Sequence, residues 1–304
     1  MLTFKIWLAA LLSAALPFLA IAWLWRKRSK GWTDWALTLS VAAAISVLAF
    51  IATPWAATSY YLRYLLIPLF ALAAFSSYRK LRAADLKNPT PAAGRLATAA
   101  KVITLAALLV LDAVAVRAYF YPVPPVELAF PLSGGVYYVI QGGNSVLTSP
   151  FHKNGSDNQE EYALDIVKLN RAGNRAAGIY PRALNSYAVY GATIHSPCDG
   201  QIVELRDGVP ENPIGDKGSH PGNQIVIRCQ GVRVTLAHMR SGSFFVQNGQ
   251  SVKAGQPLAE VGNAGHTSEP HLHLDAVRDS AEGIEPLPVS FDGRVLSLNS
   301  VVIR

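Results

Sequence analysis

Hydrophobic positions along the chain fall into two regimes that meet near residue 121. Before it, apolar residues form four long runs, Ile6–Trp25, Trp35–Thr53, Tyr60–Tyr78 and Val102–Tyr121. Each is close to the ~20 residues a helix needs to cross the hydrocarbon core of a bilayer. Aromatic residues mark their ends (Trp25, Trp32, Trp35, Trp55, Tyr60, Tyr61, Tyr78, Tyr119), as at membrane–water interfaces. The pattern predicts four transmembrane helices. The third is the weakest, because Arg63 and Pro68 interrupt it, and its loss would move everything after Tyr121 to the other side of the membrane. The first run is too long for a cleaved signal peptide, and Arg26-Lys27-Arg28-Ser29-Lys30 follows it instead of a small-residue cleavage site.

From Leu128 the period changes. Short runs rich in β-branched and aromatic residues alternate with Gly, Pro, Asn and Asp: Val136–Ile140, Ala163–Lys168, Gly200–Leu205, Gln224–Cys229, Arg233–His238, Ser251–Val252, Pro257–Val261 and His271–Val277. They predict a mainly-β, antiparallel sandwich or barrel-like sheet. Two irregular segments, Asn170–Tyr190 and Arg206–Gly222, are long enough to wall a binding site. The expected organisation is a membrane region 1–121, a Pro-rich linker 122–127 in which Tyr121-Pro-Val-Pro-Pro-Val cannot continue a helix, and a β domain 128–304. Pro89–Pro91 is expected in a cytoplasmic loop.

Composition agrees with a membrane protein: 51% of residues are hydrophobic and 15% charged. The net charge of +7 divides unevenly. Residues 1–126 carry 13 Lys+Arg against 3 Asp+Glu, and residues 127–304 carry 14 against 17. The basic excess therefore belongs to the membrane part, and the β part offers no basic stripe for nucleic acid. Arg26, Lys27, Arg28 and Lys30 follow the first run; Arg79, Lys80, Arg82, Lys87, Arg95 and Lys101 follow the third. Those loops are expected on the cytoplasmic side, which puts the N-terminus and the β domain outside. In that setting Cys198 and Cys229 are expected to form a disulfide.

All seven histidines lie after residue 150. In Pro270-His-Leu-His-Leu274, strand alternation turns His271 and His273 to one face. His238 closes another strand, in Val234-Thr-Leu-Ala-His. Asp165 lies among apolar neighbours in Tyr162-Ala-Leu-Asp-Ile-Val, and a carboxylate there needs a partner, for which a cation is the natural choice. Three protein ligands with one open position is the pattern of a catalytic zinc.

Residues ~128–290 resemble M23 peptidases, also called lysostaphin-type or LytM domains. The matching blocks are Ser196-Pro-Cys-Asp-Gly-Gln-Ile-Val, Gly222-Asn-Gln-Ile-Val-Ile, Leu236-Ala-His238, Val252-Lys-Ala-Gly-Gln-Pro-Leu-Ala-Glu-Val-Gly-Asn and Pro270-His-Leu-His273. The resemblance implies one zinc ion per domain. It makes Asp165 and His273 ligands, and His238 and His271 catalytic groups beside the attacking water or the developing oxyanion. The family's usual first motif is H-x-x-x-D, but Glu161 stands four residues before Asp165. The chain looks like the variant in which a longer loop separates the first His from Gln159-Glu-Glu-Tyr-Ala-Leu-Asp165. His152 is then the third ligand, and Glu161 the alternative. His195 and His220 read as surface residues, and His266 as a possible substrate rim.

The resemblance implies a zinc metalloendopeptidase of the bacterial cytoplasmic (inner) membrane, multi-pass, with its β domain on the periplasmic, extracytoplasmic side and cell-wall peptidoglycan peptides as substrate. A non-catalytic module that binds wall peptide or activates a partner hydrolase is the alternative. A lipoyl-like carrier is the remote one, since Lys253 lacks the flanks of a modification hairpin.

Overall fold

The computed structural model describes residues 2–83, 92–153, 158–218 and 221–304. The Pro89–Pro91 loop and His220 lie outside the described residues. Four long helices come first: α1 (Leu2–Arg26), α2 (Trp32–Ala52), α3 (Leu62–Ala83) and α4 (Ala92–Val116). Three helical segments, Leu8–Arg26, Trp32–Ala52 and Gly94–Tyr119, are long and apolar enough to cross a membrane. The third expected run does form a helix, α3. However, Arg63, Arg79, Lys80 and Arg82 at its two ends leave it less apolar than the others.

The bundle packs small residues inward. Ala14, Ala20, Ala42, Ala49 and Ala73 are buried together with Leu24 and Leu66. Its outer surface is apolar: Leu19 is 66% exposed, Ile67 62%, Phe75 62% and Ile103 70%. So much exposed aliphatic surface on one bundle is more than a monomer in water ordinarily shows. At one end Lys27 and Lys101 both pair with Asp34, and the Lys80 ammonium donates to the Trp25 carbonyl. This ties the end of α1 and Lys101 of α4 to the start of α2, and the end of α3 to the end of α1.

The β part contains β1 (Val126–Glu127), β2 (Val136–Gln141), a single helical turn α5 (Pro150–Lys153), β3 (Leu164–Leu169), β4 (Thr193–His195), β5 (Gly200–Arg206), β6 (Gln224–Cys229) and β7 (Val232–Ala237). It continues with β8 (Ser251–Val252), β9 (Pro257–Glu260), β10 (Leu272–Ser280), β11 (Gly283–Pro286), β12 (Val289–Phe291), β13 (Arg294–Val295) and β14 (Val301–Ile303). Nine strands form one antiparallel sheet in the order β14-β2-β3-β10-β7-β6-β5-β8, with β11 paired to β10. Among the described residues this path is open, ending at β14 and β8, with no closure into a barrel. Instead, two small sheets, β4-β9 and β1-β12-β13, lie against it. Ile194, Leu258, Val289 and Phe291 from these join Ile166, Ile225, Val234, Leu236 and Leu274 of the large sheet in one core. Each such side chain contributes about 1.5–3 kcal/mol on burial. The end of the expected linker is already structured, since Val126 pairs in parallel with Val289. A Cys198–Cys229 disulfide joins the start of β5 to the end of β6.

The sheet is seated on the other end of the bundle. Asn299, in a left-handed backbone conformation (φ 72), donates from Nδ2 to the carbonyls of Ile51 (2.8 Å) and Thr53 (3.0 Å). Its Oδ1 accepts from the Tyr138 hydroxyl at 2.5 Å. The buried Arg63 guanidinium lies 3.9 Å over the Phe50 ring and donates to the Asn299 carbonyl. Nearby, the Tyr60 amide donates to Gly173, Arg175 to Ala56, and Asn144 to Ala118.

Candidate metal centre

The centre strand β10 organises the site. In its register His273 stands opposite Asp165 of β3 on one side and opposite Ala237 of β7 on the other. His238 follows Ala237 directly, and its positive φ of 66 ends the strand there. His271, one residue before β10, shares the face of His273. His152 arrives from α5, carried over the sheet by the turn after Ser149. The structure thus brings His152, Asp165, His238, His271 and His273 into one cluster. His238 and His271 lie 4.7 Å apart between ring centres, and His152 and His273 5.3 Å.

Asp165 Oδ1 has three imidazole nitrogens around it: His273 Nδ1 at 3.1 Å, His152 Nε2 at 3.3 Å and His271 Nε2 at 3.5 Å. His152, Asp165 and His273 each offer a donor atom within 4.8 Å of the others, and all three are buried. Two imidazoles and a carboxylate are a donor set suited to zinc. Oxygen and nitrogen lone pairs crowded into a buried pocket call for a shared cation, so these residues fit the metal.

The flanking contacts fix ring orientations. A backbone carbonyl can only accept. His238 Nδ1 therefore donates to Ala264 (3.0 Å) and His271 Nδ1 to Glu269 (2.9 Å), leaving both Nε2 atoms for the cleft. His152 Nδ1 meets the Ser149 hydroxyl at 2.9 Å. Gln141, on β2, donates to Asp165 Oδ2. Beneath Glu269, the fully buried Arg175 grips its carboxylate, with Nε 3.0 and 3.1 Å from the two oxygens.

Burial alone would push the Asp165 carboxyl up, but the facing His152 and His271 outweigh it and hold the group well below the usual range. For His238, burial and the neighbouring His271 and His273 act together and lower it well below the ordinary imidazole value. Burial also opposes the charged forms of His271 and His273, yet Asp165, and for His273 also Asp275, raise both.

Other expected residues fall elsewhere. Glu161 is partly exposed and pairs with Lys153 at 2.7 Å, outside the donor cluster. His195 lies half-buried on β4. His266 lines the cleft above the cluster. Sequence reasoning missed Asp275, whose Oδ2 is 3.3 Å from His273 Nε2. The signal was present: 271, 273 and 275 alternate onto one face of a strand. It also missed Ser149, Gln141 and the Arg175–Glu269 pair, which carry no local motif.

The family model described as Peptidase family M23 matches residues 182–286. That span contains His238, His271 and His273 but neither His152 nor Asp165, whose place in the cluster rests on the geometry. The chain is 31% identical over 87 residues to the peptidoglycan DD-endopeptidase ShyB of Vibrio cholerae, covering 29% of this chain and 18% of that protein. It is 28% identical over 124 residues to the cell division protein DipM of Caulobacter vibrioides, covering 39% and 19%. The chain therefore spans under a fifth of the length of these curated relatives. Among solved structures, the catalytic domain of lysostaphin from Staphylococcus simulans is 25% identical, with 36% of this chain and 84% of that chain covered and a TM-score of 0.24. Csd3 of Helicobacter pylori is 19% identical, with 54% and 32% covered and a TM-score of 0.30. From its sequence match, taken with the motif blocks that fall inside it, the chain carries a peptidase family M23 domain.

Proposed function

We propose that the protein is a membrane-anchored zinc endopeptidase that hydrolyses peptide bonds of bacterial cell-wall peptidoglycan. The observation that carries this reading is the buried His152–Asp165–His273 donor set with two further imidazoles, His238 and His271, turned toward it. The domain match and the named activity of the Vibrio relative agree with it. Zinc, when bound, supplies Lewis-acid polarisation of an amide carbonyl and lowers the pKa of water beside it. His152, Asp165 and His273 hold the ion. The neutral His238 offers Nε2 to take a proton from the attacking water, and His271 offers Nε2 to the oxygen that gains charge.

The proposed organisation is a four-helix anchor through residue 121, a short Pro-rich connection and an extracytoplasmic domain from residue 128. Support for α3 as the fourth span is geometric. It starts beside Gly173, in the loop after β3, and ends beside Trp25, so it runs along the same bundle as α1, and it exposes Ile67, Leu72 and Phe75. The disulfide accords with an oxidising compartment.

The test is hydrolysis of purified sacculi by the full chain, with zinc and with chelator. Zinc-dependent release of new amine termini is expected. His271→Ala should lower the rate about 10²–10⁴-fold, the range for losing one acid–base group. Release unchanged by chelator, or surviving His271→Ala, contradicts the reading.

A further inference from the structure

Two charged residues beside the cluster are buried without joining its donor set. The Arg175 side chain has no exposed surface, and Glu269 keeps only 13% of its own. Taking an ion pair out of water stabilises a fold little more than apolar side chains of the same volume would. Such a pair does hold what it touches in one geometry, and here the contacts lead to His271.

Arg175 is first fixed at its backbone. Its amide donates to Ala56 at 3.1 Å, in the connection between α2 and α3, and its carbonyl accepts from Ala188 at 3.0 Å. The residues just before it are tied to the same connection. Ser59 Oγ donates to the Ala172 carbonyl at 2.7 Å, and the Tyr60 amide to the Gly173 carbonyl at 2.9 Å. From that seat the guanidinium donates from Nη2 to Ile179 at 3.1 Å and from Nε to both Glu269 oxygens. Glu269 in turn supplies the main-chain carbonyl that accepts from His271 Nδ1, and the Thr267 hydroxyl lies 2.8 Å from the same oxygen. Buried Pro270 joins Glu269 to His271, and its ring locks one of the torsions between them. A swing of Glu269 would therefore pull the carbonyl from Nδ1. His271 Nε2, now 3.5 Å from Asp165 Oδ1, would lose its aim into the cleft.

Resting on the peptidase reading above, we propose that Arg175 and Glu269 are positioning residues for His271. The ion pair clamps the Glu269 main chain, and its carbonyl sets the tautomer and tilt of the His271 ring. The pair acts through His271 and not through the metal, since neither residue belongs to the His152–Asp165–His273 donor set. Loss of the clamp should slow the chemical step and leave zinc and peptide binding as they were, because His271 serves an oxygen that gains charge only as the reaction proceeds.

The experiment measures kcat, KM and zinc content of the full chain, with soluble cross-linked peptide fragments released from sacculi as the probe. Arg175→Met alone would strand the buried Glu269 carboxylate and weaken the fold. The double variant Arg175→Met/Glu269→Leu removes both charges at comparable volume and keeps the main-chain carbonyl of residue 269. It should fold and hold one zinc, keep KM within about twofold and lose ~10–100-fold in kcat, the scale for a displaced catalytic group. Arg175→Lys keeps the charge but puts a single ammonium in place of the planar fork, so its kcat should fall less, again with KM and zinc unchanged. Wild-type kcat in the folded double variant overturns the proposal and leaves the peptidase reading standing. So does a rise in KM with kcat held, or a loss of zinc. If the double variant does not fold, Arg175→Lys decides by the same split, and an unchanged kcat there overturns the proposal. No zinc-dependent cutting by the unaltered chain removes the peptidase reading itself, and this proposal with it.

Discussion

His238 and His273 belong to one buried cluster yet are driven in opposite directions, because of what each ring faces. For His238, burial and two other imidazoles favour the neutral form, and they outweigh the opposing pull of the Ala264 carbonyl and Asp165. His273 has a carboxylate at each nitrogen, Asp165 and Asp275. Without metal, the raised pKa of His273 stabilises the fold fully below its unfolded value of ~6.5, and this is lost as pH rises through the folded value. The depressed pKa of Asp165 stabilises the fold above its unfolded value of ~3.9, and this is lost as pH falls through the folded value. The metal-free domain should gain most from this pair between roughly pH 4 and 6.5. Zinc binding must displace the His273 proton. Calorimetry near pH 6 in buffers of different ionisation enthalpy should show net proton release, and zinc affinity should climb with pH. Binding without proton release contradicts this account of His273. At this scale the sequence was most legible where a local pattern speaks: His271 and His273 announce themselves by alternation, and Asp165 by being a carboxylate among apolar neighbours. His152 does not, because a loop sets its reach and no periodicity governs a loop.

At the scale of elements, the strands that the sequence revealed are those with a buried face and several residues of alternation, such as β6, β7 and β10. The ones it did not reveal, β1, β4 and β11 to β14, are two to four residues long, and β1, β11, β13 and β14 have no fully buried position. Their place is set by partners distant in sequence, as Val126 is by Val289. The disulfide acts between elements, tying β5 to β6 across 31 residues of chain. Closing a loop of that size is worth about 3–4 kcal/mol in the chain-entropy picture. Cys198→Ser with Cys229→Ser should lower unfolding stability by that order in urea, with metal content unchanged. A loss of zinc before any loss of fold would mean the bridge shapes the site, which lies on β3 and β10, beyond β7 in the sheet.

For the whole molecule, the apolar runs and the change of period after them made a helical bundle followed by a β part legible. The docking of one part on the other was not. Asn299 and Arg63 are 236 residues apart, and neither stands in a recognisable motif. The same docking makes the topology testable. Single cysteines in a Cys198→Ser/Cys229→Ser background, placed in the Arg28–Lys30 segment and on the exposed Lys253 loop, should label from opposite sides of intact cells. Only the Lys253 site should react with an impermeant maleimide. Labelling of neither site would mean three spans and an internal β domain.

The direct test of the central claim is the metal itself. Full-length protein purified with zinc at neutral pH should carry one ion per chain by plasma mass spectrometry, with X-ray absorption showing two imidazole nitrogens and carboxylate oxygen around it. His273→Ala should lose the ion, and His271→Ala should keep it. Protein that folds but holds no zinc, or holds it undiminished in His273→Ala, contradicts the account.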